Sequence, residues 1–140
     1  MENPSYEAVC SGRTGHAECA KVEFDPKTIP YEKLVEVFFL THDPTTLNRQ
    51  GNDVGEQYRS VIFYLNPGQK SLAEKVKGEI EKENIYKHLI VTQIEPFKNF
   101  FRAENYHQNY FANNPNAPYC QVVINPKIAE FRQKFAAYLK

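Results

Sequence analysis

The stretch that most constrains this chain is "HDPTTLNRQGNDVGEQYRS", residues 42–60. It shows neither the 3.6-residue period of an amphipathic helix nor the alternation of a strand. Two Gly, two Asn, two Asp and a Pro punctuate it, yet regular amphipathic segments flank it. An irregular run of this length inside a small domain is either a functional loop or a disordered one. Gly51 and Gly55 permit positive φ and close backbone approach, which suits an ordered turn with or without a ligand.

The flanks predict the rest of the fold. "SYEAVCSG" predicts one or two helical turns, with Ser5 as cap and Gly12 as stop. "HAECAKVEFD" alternates loosely and predicts a strand near residues 17–24, closed by Asp25 and Pro26. From Tyr31 to Leu40, the residues Leu34, Val35, Val37, Phe38 and Leu40 fit a mostly buried helix. After the loop, "SVIFYL" is apolar throughout and predicts a central strand near residues 59–65. Asn66 and Pro67 supply N-cap and N1 for a helix that carries Leu72, Ala73, Val76 and Ile80 at helical spacing. "LIVTQIE" predicts a strand near residues 89–95, and "AENYHQNYFANN" a short aromatic helix ended by Asn-Asn-Pro. "YCQVVIN" reads as extended, and Asn125-Pro126 opens a last helix with Ile128, Phe131, Phe135 and Leu139 on one face. Short connections, without repeats or low-complexity tracts, place residues 1–140 in one layered α/β or α+β domain.

Charge and cysteine usage narrow the function. Seventeen basic and seventeen acidic residues balance, so no basic stripe points to nucleic acid. No apolar run is long enough to predict a membrane span, and the polar opening "MENPSY" does not read as a secretory signal. Cys10, Cys19 and Cys120 are odd in number and lack zinc-like spacing. They predict no disulfide scaffold, no metal site and a reducing, cytoplasmic compartment.

Several residues carry chemistry beside a plainer reading. In "HAE", an extended backbone puts His16 and Glu18 on one face, where a buried Glu can act as a proton donor. A surface Glu in an ion pair is the commoner case. Asp53 and Tyr58 flank the glycine-punctuated turn. Tyr106 and His107 lie in an aromatic segment that reads first as packing. "HDP" reads as a helix end set by Pro44 before it reads as a His-Asp pair. These features suggest a polar site of carboxylate and phenol groups and name no reaction.

A resemblance names one. "NPSYEAVCSGRTGHAE", "HDPTTLNRQGNDVGEQYRS", "AENYHQNYFANNP" and "YC" followed by "VVINPK" resemble, in order and separation, the peptide-methionine sulfoxide reductases of the A type. The likeness runs from Asn3 to about Phe135. It implies a two-layer α+β sandwich with a ferredoxin-like core of mixed sheet. It also implies thiol-dependent reduction of methionine-S-sulfoxide, free or in proteins, with thioredoxin as reductant, no cofactor and a monomeric enzyme. By resemblance, Glu18 supplies a proton to the sulfoxide oxygen, Tyr6 and Tyr58 hydrogen-bond that oxygen, and Asp53 orients the site. Cys120 matches a resolving cysteine. Such groups suit the chemistry, because the S–O bond must be polarised before sulfur is attacked.

The chain departs from the family pattern in one respect. The family's nucleophile lies in a "GCFW" motif at the end of the first strand, ahead of "NPSY". These 140 residues contain no such motif and no Trp. The expectation is therefore a reductase domain that lacks its first strand and nucleophile and is inactive by itself. The alternatives are a non-catalytic module that binds oxidised methionine, or a split enzyme completed by another polypeptide. Cys10 is the weak candidate for a substitute nucleophile, and Cys19 is placed on the opposite face from Glu18.

Overall fold

A computed structural model describes residues 2–138. The chain divides into two compact units, Met1–Phe101 and Arg102–Lys140.

The first unit opens with α1, Tyr6–Cys10. Ser5 caps it, its hydroxyl accepting from the Ala8 amide at 3.2 Å. Gly12 ends it with φ +71°, a left-handed turn that glycine adopts without strain. Helix α2 spans Tyr31–Leu40, where the apolar periodicity places it. It stops at Thr41, whose hydroxyl bonds back to the Val37 carbonyl at 2.8 Å. Pro44, fully buried, lies just beyond. Residues 42–60 are ordered. They hold a small antiparallel pair, β1 (Arg49–Gln50) with β2 (Asp53–Val54), and a 3-10 turn at Glu56–Tyr58.

Strand β3, Val61–Tyr64, pairs in parallel with β4, Gln93–Pro96, in the register Ile62 to Ile94. A parallel pair needs a long crossover, and here it is α3, Pro67–Lys82. Asn66 caps α3 through its side chain on the Gln69 amide at 2.9 Å, with Pro67 at the first turn. Val35 and Phe39 of α2 meet Ala73, Val76 and Ile80 of α3, and Ile90 joins them before β4. Ile62 and Ile94 pack on this cluster from the sheet. Each buried Val, Ile or Phe contributes about 1.5–3 kcal/mol of burial, so this helix pair on its sheet anchors the unit. The α+β class is the one expected.

Two expectations fail. Residues 17–24 take no regular secondary structure and form no ladder among the described residues. The backbone bond that holds them is Glu18 N–H to the Gln57 carbonyl, 2.8 Å. Residues 18–23 face solvent, with Lys21 and Glu23 paired at 3.3 Å. Loose alternation supplied a strand-like composition without a neighbour to pair with. "YCQVVIN" is helical, not extended: a π-turn at Cys120–Ile124 leads directly into α5, Asn125–Lys134.

That second correction belongs to the second unit. Pro126 lies within a continuous helix and has no N–H to give a preceding carbonyl. The wider π-turn just before it absorbs the defect. Asn125 is therefore no cap; its amide donates to Gln121 Oε1 at 3.2 Å. Phe135 is buried and stacks on Phe131 at 5.2 Å. Ile128 is half-buried, and Leu139 lies outside the described residues. The aromatic segment forms a 3-10 turn, Asn105–His107, and one helical turn, α4, Tyr110–Asn113. Among the described residues, no helix is long and apolar enough to cross a membrane.

Candidate active site

Three segments distant in sequence meet at Gln57, which is only 5% exposed. Its side-chain amide donates to the Cys10 carbonyl at the end of α1, 3.1 Å. Its backbone carbonyl accepts from the Glu18 amide at 2.8 Å. Its Oε1 presses against the backbone of Gly55, where an added Cβ would fall 2.3 Å away. Gly55 holds φ +149°, a conformation open to glycine alone in practice. Arg59 adds a second tie, donating to the Gly15 carbonyl at 3.2 Å and the Glu56 carbonyl at 3.0 Å.

The loop that presents Asp53 and Tyr58 is cross-braced. The Gln50 side chain pairs with both backbone groups of Asp43, accepting from its N–H and donating to its C=O at 3.0 Å each. Thr46 Oγ1 donates to the Arg49 carbonyl at 2.7 Å, and Gly55 N–H to the Asn48 carbonyl at 2.8 Å. At the base, His42 Nε2 lies 2.7 Å from Ser60 Oγ, which lies 2.7 Å from Thr92 Oγ1. His42 Nδ1 faces the Phe38 carbonyl. A carbonyl only accepts, so Nδ1 carries a proton. Asp43 accepts from the hydroxyl and N–H of Thr45 at 2.6 and 2.9 Å. Those bonds, with the His42 and His88 charges adding less, hold its carboxyl below the usual range. "HDP" thus closes a helix and opens a braced loop.

The electrostatics show what this scaffold brings together. The Tyr6 phenol hydrogen-bonds the Cys10 thiol one helical turn on. That bond first, then the Cys10 charge, burial, and the charges of Glu18 and Tyr58, push its pKa up to about 12. Tyr58 is raised too, by burial first and then by Glu18, Cys10 and Asp53, while a hydrogen bond with Gln57 pulls the other way. Tyr6, Cys10, Glu18, Asp53 and Tyr58 are therefore electrostatic neighbours. Tyr6, Cys10, Glu18 and Asp53 are exposed and Tyr58 is half-buried, so the cluster is an open surface. Glu18 does not sit at a buried strand end. Cys120 belongs to the second unit and is fully buried.

Phenols and a carboxyl around one thiol can donate hydrogen bonds to a polar oxygen and hand it a proton. No group of three or more His, Cys, Asp or Glu among the described residues could hold a metal. Sequence reasoning missed Gln57, Arg59 and the chain His42–Ser60–Thr92. No local signal marked Gln57, because its burial and its contacts to residues 10 and 18 are tertiary.

The family model described as peptide methionine sulfoxide reductase matches residues 1–139. The peptide methionine sulfoxide reductase MsrA of Polynucleobacter asymbioticus is 51% identical over 137 residues, covering 98% of this chain and 72% of that protein. The crystal structure of reduced Mxr1 from Saccharomyces cerevisiae superposes with a TM-score of 0.78 at 43% identity, over 83% of this chain. Methionine sulfoxide reductase A of Corynebacterium diphtheriae gives 0.70 at 34% identity, over 82%. This chain spans 63% and 59% of those two structures' lengths.

Proposed function

This chain belongs to the peptide methionine sulfoxide reductase family, and from that premise we propose that its phenol–carboxyl cluster binds and polarises the S–O bond of methionine-S-sulfoxide, free or in oxidised proteins. Tyr6 and Tyr58 donate to the sulfoxide oxygen, Glu18 delivers the proton, and Asp53 orients the loop that carries Tyr58. The reading is carried by one observation: Tyr6, Glu18 and Tyr58, from three separate segments, influence one another's charge.

The chemistry runs in balanced steps. A thiolate attacks the polarised sulfur, the S–O bond breaks, and oxygen passes to the thiol as a sulfenic acid, leaving free methionine. A second thiol, for which Cys120 is the candidate, condenses with the sulfenic acid to a disulfide and water. The dithiol of thioredoxin then reduces that disulfide. The attacking thiolate belongs in this reading to a "GCFW" segment ahead of "NPSY", which these 140 residues do not contain. The reaction site is assigned to the cytoplasm and the working unit to a monomer.

Titrating the labelled chain with methionine-S-sulfoxide and with the R epimer tests the binding step. Saturable shifts at Tyr6, Glu18 and Tyr58 with the S epimer, weakened by Glu18→Gln and Tyr58→Phe, are expected. Absence of any shift with either epimer would refute the reading.

A further inference from the structure

We infer that Gln57 is the positioning residue of this surface: its side chain holds the end of the helix that carries Tyr6 and Cys10, and its backbone carbonyl holds Glu18, both in register with Tyr58. The inference rests on the reading of these groups as the sulfoxide site, and its geometry stands apart from that reading. Gln57 is buried and adjoins Tyr58 in the chain. Its Nε2 fixes the Cys10 carbonyl at 3.1 Å, and with it the helix that carries Tyr6. Its own carbonyl fixes the Glu18 N–H at 2.8 Å. Residues 18–23 are exposed and form no ladder among the described residues, and this bond ties the Glu18 backbone to the turn that carries Tyr58. Gly55 and Gly12 leave room for the amide, with added Cβ atoms falling 2.3 and 3.3 Å from Oε1. Oε1 is buried and accepts no hydrogen bond within the described structure. Such a cost is tolerated where the other half of the group is needed in place.

The clamp has a chemical signature that packing alone lacks. Gln57→Met keeps the volume and loses the N–H donor. Gln57→Glu keeps the shape and donates only when protonated, because a carboxylate beside the Cys10 carbonyl repels it. Burial raises a carboxyl's pKa, so that switch falls above the ordinary range for Glu.

Hydrogen exchange at the Ser11 and Gly12 amides, which close α1 on the Ala8 and Val9 carbonyls, reads the side-chain clamp, with the Glu18 amide as reference for the backbone bond and the Val76 and Ile80 amides of α3 for global opening. In Gln57→Met, the Ser11 and Gly12 amides are expected to exchange about tenfold faster or more, as the loss of the hydrogen bond that holds the end of α1 implies, while the Glu18 amide keeps its backbone acceptor and its rate. The α3 amides should keep their rates. In Gln57→Glu, Ser11 and Gly12 protection should match the wild type near pH 5 and vanish near pH 8, after correction for intrinsic exchange. Binding of methionine-S-sulfoxide, followed in the same samples, should weaken in parallel. Unchanged Ser11 and Gly12 protection in Gln57→Met, or equal acceleration at Val76 and Ile80, overturns the clamp. If the wild type binds no sulfoxide, the functional reading fails while the exchange rates still decide the clamp.

Discussion

His42 Nε2 and Ser60 Oγ lie 2.7 Å apart, so the two ends of the loop between α2 and β3 are bonded to each other. Everything the loop presents, Asp53 and Tyr58 included, hangs from that closure. Ser60 and Thr92 are 6% and 3% exposed, so this polar chain sits inside the unit where an unpaired group is costly. Because Nδ1 carries a proton toward the Phe38 carbonyl, the neutral form of the ring accepts from Ser60, which in that form accepts from Thr92.

Removing either end should therefore strand the other. His42→Ala and Ser60→Ala are each expected to cost about 1–3 kcal/mol in urea unfolding. The double variant should lose less than the sum, by about 0.5 kcal/mol or more. Simple additivity would mean that the two groups do not act as a closure.

The loop glycines differ in what surrounds them. At Gly55 a Cβ would meet Gln57 at 2.3 Å and the backbone holds φ +149°; at Gly51 no atom lies within 4 Å and φ is +58°. Gly51→Ala then carries only the left-handed cost, about 1–2 kcal/mol. Gly55→Ala adds a clash and should cost about 3 kcal/mol or more. A urea midpoint for Gly55→Ala equal to that of Gly51→Ala would contradict the packing of Gln57.

What was legible in the sequence was local. Asn66-Pro67 carries its own cap chemistry, and Tyr31 to Leu40 carries its own period, so both helices stand where expected. Ser5 and Gly12 bracket α1 for the same reason. Strands are relations between segments. "HAECAKVEFD" has the composition of one and no ladder among the described residues, while "YCQVVIN" is β-branched and helical because local turns and Pro126 decide it. At the site, Tyr6, Glu18, Asp53 and Tyr58 were found through the resemblance. Gln57 was not found, since what marks it is burial and two contacts to residues 10 and 18, which no local pattern encodes.

Tyr6 should titrate late. Its phenol is held protonated to about 12, chiefly by its bond with Cys10 and the Cys10 charge. The folded pKa lies above the unfolded value near 10, so the native state holds the proton more tightly. That contribution is complete below about pH 10 and is lost as pH rises toward 12. Cys10→Ala removes the two largest causes. Ultraviolet difference titration should show one tyrosine moving down toward its ordinary range in that variant. A tyrosine titration curve identical to the wild type's would exclude the Tyr6–Cys10 contact.

Turnover separates the chemical accounts. With dithiothreitol or thioredoxin as reductant, this 140-residue chain is expected to reduce methionine-S-sulfoxide far more slowly than the same chain with a "GCFW"-bearing segment joined ahead of "NPSY". Direct attack on sulfoxide sulfur needs a thiolate within near-attack distance of a polarised S–O bond. Cys10 lies in the cluster, but Tyr6, Tyr58 and Glu18 around it are neutral or anionic, so none of them is a cation to hold a thiolate. Partial desolvation of its thiol raises the pKa of Cys19, although the residue as a whole is exposed, and the Arg59 charge only partly opposes that. Cys120 is fully buried. Removing the nucleophile from a covalent mechanism costs several orders of magnitude, because the members of such a site act as a unit. Assays of a dabsylated methionine sulfoxide, run beside Cys10→Ser, Cys19→Ser and Cys120→Ser, decide the matter. Strong turnover by the 140-residue chain that a single one of these changes abolishes would identify that cysteine as the nucleophile and overturn the expectation. Saturable binding without turnover, converted to turnover by the joined segment, would establish that Tyr6, Glu18 and Tyr58 polarise the sulfoxide for a thiolate supplied from that segment.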